Sequence, residues 1–196
     1  RALESLDGSA MRALEWIKLP ASLRHVDLSY CSSLQRLEIG TDGAALSRSL
    51  VFLNLDGCRE LAECSQPTQA AFCGVQELNL GYCVKIGAPW IHTALRFCGE
   101  SLLTVQLRGV ASDAALACLC EACPNLRTSD FSFSRGVTDA GLEMLVESCG
   151  QLERCNVRAC PNVSRALYNR LPQLLSRRSR PGGLATLEHG FFYLKN

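Results

Sequence analysis

A single pattern recurs through this chain and limits what it can fold into: L-x-x-L-x-L, with other apolar residues admitted at each leucine. It opens at Leu23, Leu50, Val75, Leu102, Leu126 and Leu152, so successive starts lie 27, 25, 27, 24 and 26 residues apart. A chain self-similar at that interval is built of stacked supersecondary units, none of which buries its apolar face alone. Each occurrence reads as a short strand. Side chains alternate across a strand, so the second and third apolar positions point inward together while the residue between them points out. The inward pairs are Val26/Leu28, Leu53/Leu55, Leu78/Leu80, Val105/Leu107, Ser129/Phe131 and Cys155/Val157. Ser129 is the polar exception and predicts a locally weak spot.

The stretches between strands carry helix signals. Thr138 is a natural N-cap, and Leu142 and Leu145 share one helical face. Residues 112–116 (SDAAL) and 164–167 (SRAL) repeat that cap-and-leucine arrangement. Pro89 falls near a helix start, where an amide needs no intrahelical partner. Strand, turn and helix with parallel strands define the predicted fold class: α/β, a right-handed leucine-rich-repeat solenoid with a parallel concave β-sheet and outer helices. Such repeats run about 20 to 29 residues, and every interval fits. Residues 1–196 are expected to form a single domain, with partial units over 1–22, six repeats over 23–175 and a C-terminal loop and cap over 176–196. Leu3, Leu6, Leu14, Ile17 and Leu19 carry the partial units. Leu34, Leu37 and Ile39 repeat the spacing only 11 residues after Leu23, which predicts a distorted unit there. Segments 41–43 and 63–67 look loop-like. Arg177, Arg178 and Arg180 with Pro181, Gly182 and Gly183 read as an exposed loop, and Leu184, Leu187, Phe191, Phe192 and Leu194 as cover for the last coil.

Twelve cysteines need a reason. Four of them, Cys31, Cys58, Cys83 and Cys160, fall three residues after the last apolar position of a repeat, where Val110 and Ser134 complete the column. Common repeats place Asn in that slot to satisfy turn backbone, and a small, buriable thiol with a weak donor suits it. Cys73, Cys98, Cys123 and Cys149 form a second column just before the strands, and Cys155 lies inside one. Cys118, Cys120 and Cys123 form one isolated cluster, whereas structural zinc wants two ligand pairs at defined spacing, so packing is the expected role. No metal and no cofactor are expected. Thiols at packed positions imply a reducing compartment: cytoplasm, nucleus, axoneme or organelle matrix.

Charge and histidine placement exclude other classes. Lys and Arg number 20 against 19 Asp and Glu, so nucleic acid is not an expected partner. Apolar runs are too short for a membrane span, and the first residues, with Glu4 and Asp7, lack the apolar core of a signal peptide. The three histidines, His25, His92 and His189, are spread along a fold in which distant sequence stays distant in space. No catalytic residues are expected, and the chain reads as a binding module rather than an enzyme.

The residues Cys123-Pro-Asn-Leu126 with Val137-Thr-Asp-Ala-Gly-Leu142, and Cys149-Gly-Gln-Leu152 through Cys160-Pro-Asn-Val163, resemble the cysteine-containing leucine-rich repeats of F-box proteins and of the antagonist-of-mitotic-exit-network family. That family's repeat runs C-x-x-L-x-x-L-x-L-x-x-C-x-x-I-T-D-x-G-L. The resemblance covers about residues 23–171 and is specific for the fold, not for the partner. It implies a substrate-recognition module whose partners are a protein on the concave face and, through a separate F-box, ubiquitin-ligase core subunits. No F-box-like stretch is evident in this sequence. A structural subunit of a large multi-subunit assembly, axonemal, ribosomal or respiratory, is the alternative.

The expected partner face is lined by outward strand residues. The central column is Asp27, Asn54, Asn79, Gln106, Asp130 and Asn156, every member polar. The column before it contains His25, Phe52, Glu77 and Arg154, and the column after it Asp56, Arg108 and Arg158. Tyr30, Tyr82 and Phe133 recur at one rim position, and aromatic rings and arginine are the usual anchors of protein interfaces. The same residues also fit a plain solvated face with three partly packed rings.

Overall fold

The computed structural model describes residues 3–40, 50–176, 184–188 and 191–195, the last two stretches as backbone only. The first three units alternate strands: β1 (Ser5–Asp7), β2 (Trp16–Leu19), β3 (His25–Asp27), β4 (Arg36–Ile39), β5 (Phe52–Asn54) and β6 (Glu63–Cys64). A short helix, α1 (Gln69–Phe72), then leads into β7 (Glu77–Asn79). From there strands alternate with longer helices: α2 (Ala88–Cys98), β8 (Thr104–Gln106), α3 (Asp113–Ala122), β9 (Thr128–Asp130), α4 (Asp139–Ser148), β10 (Arg154–Asn156) and α5 (Arg165–Ser176).

One strand of each unit enters a single sheet in chain order, β1-β3-β5-β7-β8-β9-β10, all parallel. Pairing is in register: Val26, Leu53, Leu78, Val105, Ser129 and Cys155 stand opposite one another across successive strands. The repeat in sequence is thus a repeat in space. Leu6 of β1 pairs with Val26, so residues 1–22 contribute one further strand to this sheet. The inward pairs are buried in one continuous core, against which α2 to α5 pack in order. Ser129, the expected weak spot, is fully buried, and its hydroxyl reaches the Arg154 carbonyl at 3.4 Å.

Two expectations are corrected. Among the described residues the first units carry no outer helix longer than the four-residue α1: β2, β4 and β6 form a second parallel sheet of three strands behind the first. Leu37 is therefore the buried side of a back strand and Leu34 is buried in the turn that leads into it, not a distorted repeat, and alternation over Arg36–Ile39 is the signal that marks it. Segment 63–67, read as a loop, begins with the edge strand β6, and Ser65 secures it: Ser65 donates its N–H to the Leu37 carbonyl at 3.0 Å and accepts from the Ile39 N–H at 2.9 Å. Secondly, the sheet does not stay parallel. β11 (Leu184–Glu188) and β12 (Phe191–Lys195) continue it beyond β10, both pairings antiparallel, so the tail extends the sheet at the place where a cap was expected. Residues 41–43 and the Arg177–Gly183 segment lie outside the described residues, as does His189.

The helix starts show why the T-D-x-G-L sequence works. Ser112 caps α3 by accepting from Ala115 N at 3.3 Å. Thr138, expected to do likewise for α4, makes no such bond; its N–H and hydroxyl both go to the Asp113 carboxylate of the preceding unit, at 2.9 and 2.6 Å. A Cβ on Gly141 would collide with that carboxylate. Asp139 repeats the reach, accepting from Ser164 N at 2.7 Å. An acid in the first turn thus ties α3 to the start of α4 and α4 to the start of α5, with Gly141 making room for the first of these ties. Pro89 sits in the first turn of α2, as its ring permits.

Candidate partner-binding face

The exposed side of the main sheet carries the columns read from the sequence, side by side and in order. His25, Glu77 and Arg154 are exposed and Phe52 is half-buried. In the central column, Asp27, Asn54, Asn79 and Gln106 are half-buried, while Asp130 and Asn156 are buried. Five of the six have a local duty that composition did not reveal. A side-chain oxygen of Asp27, Asn54, Asn79, Asp130 and Asn156 accepts from the backbone N–H two residues on, at 2.8 to 3.1 Å. Such an Asx turn satisfies an amide that the strand can no longer pair. Asp7 does the same in β1. The column is polar because the turn requires it. Gln106, one methylene longer, makes no such bond.

The turn itself is left-handed in every unit. Ala10, Tyr30, Gly57, Tyr82, Gly109, Phe133 and Ala159 all have φ between 56° and 75°. That region is unfavourable for a bulky side chain, costing about 1–3 kcal/mol where it is forced. Backbone bonds to the following unit hold it: Tyr30 N to Asp56 O at 2.6 Å, Tyr82 N to Arg108 O at 2.7 Å, Phe133 N to Arg158 O at 2.9 Å. Glycine alternates with the rings for space. A Cβ on Gly57 would lie 2.9 Å from Tyr30 Cδ1, and one on Gly109 would lie 3.1 Å from Tyr82 Cδ1. Each tyrosine therefore leans over the next unit's glycine, and Tyr82 reaches on to Phe133, ring centres 6.3 Å apart.

Arg108 and Asp56 skip a unit to meet. Their closest atoms are 2.8 Å apart, with Asp56 buried, and the position between them is Gly81, where a side chain would collide with Asp56. Arg108 also lies 5.9 Å from the centre of the Tyr82 ring, and Arg59 lies 5.8 Å from it. The Asp56 carboxylate beside the Tyr30 hydroxyl holds its proton on and raises the phenol above its usual range. Arg108 is thus already neutralised, whereas Arg158 is exposed and has no carboxylate partner among the described residues. Between the two outward columns over β5, β7 and β8 lies a recess of about 70 Å³, bounded by Phe52, Glu77, Thr104 and the central amides.

The thiols face the other way. Cys31, Cys58, Cys83 and Cys160 each donate S–H to a carbonyl of the preceding unit, at 2.9 to 3.2 Å, and Ser134 does so through its hydroxyl at 3.2 Å. The slot is therefore a bonding position as well as a packing one. All twelve cysteines are free thiols, nine of them buried. Burial pushes Cys58, Cys123 and Cys155 up to about 12, far from the thiolate needed for reaction. Cys120 is the exception that sequence reading missed. Cys149 and Ser148 beside it lower its thiol from the usual range. No helix among the described residues is long and apolar enough to cross a membrane.

No family model and no curated protein matches the sequence. Among solved structures the chain is similar to one in the crystal structure of the Rad7 and Elc1 complex in yeast, with 23% identity and a TM-score of 0.48. The match covers 74% of this chain and 38% of that one, so this chain spans well under half of its length.

Proposed function

We propose that the chain is a right-handed leucine-rich-repeat solenoid that binds a protein on the exposed side of its parallel sheet, performs no catalysis, and acts as the substrate-recognition part of a ubiquitin-ligase receptor. The supporting observation is the turn column: exposed Tyr30 and Phe133 and half-buried Tyr82, in line across five units, with two guanidinium groups over the middle ring. Rings and arginines held rigidly at one rim are low-entropy anchors for a partner. From β3 to β10 the sheet spans five strand spacings, about 24 Å, enough for a patch of about 800 Å². The resemblance of the 123–163 segment to the repeats of F-box proteins supplies the ligase side of the reading, and the buried free thiols fit a reducing compartment. Affinity capture with the full-length protein tests it. Ubiquitin-ligase core subunits and a substrate should be recovered, and the substrate should be lost in a Tyr82→Ala/Phe133→Ala double variant. Absence of core subunits overturns the receptor reading; an unaffected substrate overturns the choice of face.

A second reading, a structural subunit of a large assembly, is favoured by the opposite end of the stack. Among the described residues β1 and β2 have no strand on their outer edges, and Leu3, Met11 and Trp16 beside them are about half exposed. Unpaired edges flanked by apolar side chains are joining surfaces. Co-sedimentation with one particle at fixed stoichiometry would favour this reading over the receptor.

A further inference from the structure

The recess over β5, β7 and β8 is far below the roughly 300–1,000 Å³ of a small-molecule site. At about 70 Å³ it equals about two waters' share of liquid volume. It fits one side-chain head group. Its lining decides which. Of the acidic side chains in the outward columns, Asp27 accepts from Ser29 N and Asn54 Nδ2, Asp56 pairs with Arg108, and Asp130 accepts from Ser132. Glu77 alone among them has no hydrogen bond or cation within the described residues, and it is exposed at the recess. Gln106, two strand positions away on β8, is the one central-column residue whose amide is not spent on its own turn. Phe52, half-buried on β5 directly opposite Glu77, supplies an aromatic wall. A carboxylate, an uncommitted amide oxygen and a ring converging on a shallow site match a flat cation that donates in several directions.

We infer that this recess receives a single arginine side chain from the protein partner, its guanidinium paired with Glu77, bonded to Gln106 and flanked by Phe52. The inference rests on the reading of this face as the partner surface. The probe is Nα-acetyl-arginine N-methylamide, titrated into the full chain to millimolar excess while the Leu78 backbone amide and the Asn79 and Gln106 side-chain amides are followed by NMR. Saturable shifts at those three sites are expected. The citrulline analogue, equal in shape but uncharged, should leave them unmoved, and Glu77→Gln should weaken the arginine response about fivefold at low salt. The lysine analogue should bind more weakly than arginine. Equal response to citrulline, indifference to Glu77→Gln, or no shift overturns the inference. If the titration is silent while the Tyr82/Phe133 variant still loses its partner, the face stands and the arginine does not. If the titration responds but capture ignores the face, the parent reading has failed and takes this inference with it.

Discussion

The first three units and the four that follow present the same front and different backs. In front, every unit from β1 to β10 delivers a three-residue strand, a turn-closing side chain (Gln106 excepted) and a left-handed residue at one fixed offset. Behind, β2, β4 and β6 hold the early units together through backbone pairing, whereas α2 to α5 hold the later ones through packed side chains. Front geometry is therefore independent of what closes the unit. Any back serves that returns the chain to the start of the next strand while covering the inward leucines. The two regimes meet at one seam. There the Phe72 and Trp90 rings pack edge to face at 5.8 Å, and Trp90 Nε1 donates to the Ser65 carbonyl, next to β6, at 2.9 Å.

That seam is where the comparison breaks most easily. Phe72, fully buried, becomes a cavity in Phe72→Ala, with an expected loss of about 3–5 kcal/mol by denaturant unfolding. A loss below about 1 kcal/mol would mean the halves are not joined there. Next in size is the helical back's own tie. Gly141→Ala should cost about 1–3 kcal/mol, because the new methyl displaces Asp113 and strands the Thr138 donors. Adding Asp113→Ala should then cost less than it does alone; simple additivity would show that the acid and the glycine are not one device. The front slot, shared by both regimes, predicts a smaller change. Cys58→Ser in the strand-backed half and Cys160→Ser in the helix-backed half should each shift stability by about 1 kcal/mol or less, since Ser134 already makes the same bond. A large difference between the two would show that the backs do reach the front.

The smallest effect separates the backs by chemistry. Cys120 of α3 meets Cys149 at the end of α4, a contact that the strand-backed half does not have. A thiol held below its ordinary range loses its proton at a lower pH than an unassisted one. Iodoacetamide labelling of Cys120 should therefore rise at lower pH than that of an ordinary thiol, and Cys149→Ala should move the rise upward. Labelling that begins only near the ordinary thiol value of 9 would break the proposed contact.

Residue by residue, the front was open to reading and the back was not. Val26, Leu53, Leu78 and Val105 announced their strand by spacing, because the two-residue alternation and the shared interval are properties of the chain itself. The back of the first units was misread for lack of a helix signal. Alternation in Arg36–Ile39 is written as plainly as in β3, but short strands in an unexpected place resemble an extra repeat. The candidate face divides the same way. Its columns were correctly aligned, yet Asp27, Asn54, Asn79, Asp130 and Asn156 looked like free contact groups until their own turns claimed them.

What the amino-acid order determined alone is which residues form the front strands, which of their side chains point inward, and that equivalent positions line up across units. Tertiary structure decided which polar groups remain available. Arg108 is quenched by Asp56 at 2.8 Å, and Thr138 is taken by Asp113, each from a residue dozens of positions away. Hydrogen bonds and ion pairs act over a few ångströms, and those neighbours come within reach only when one unit is laid against the next.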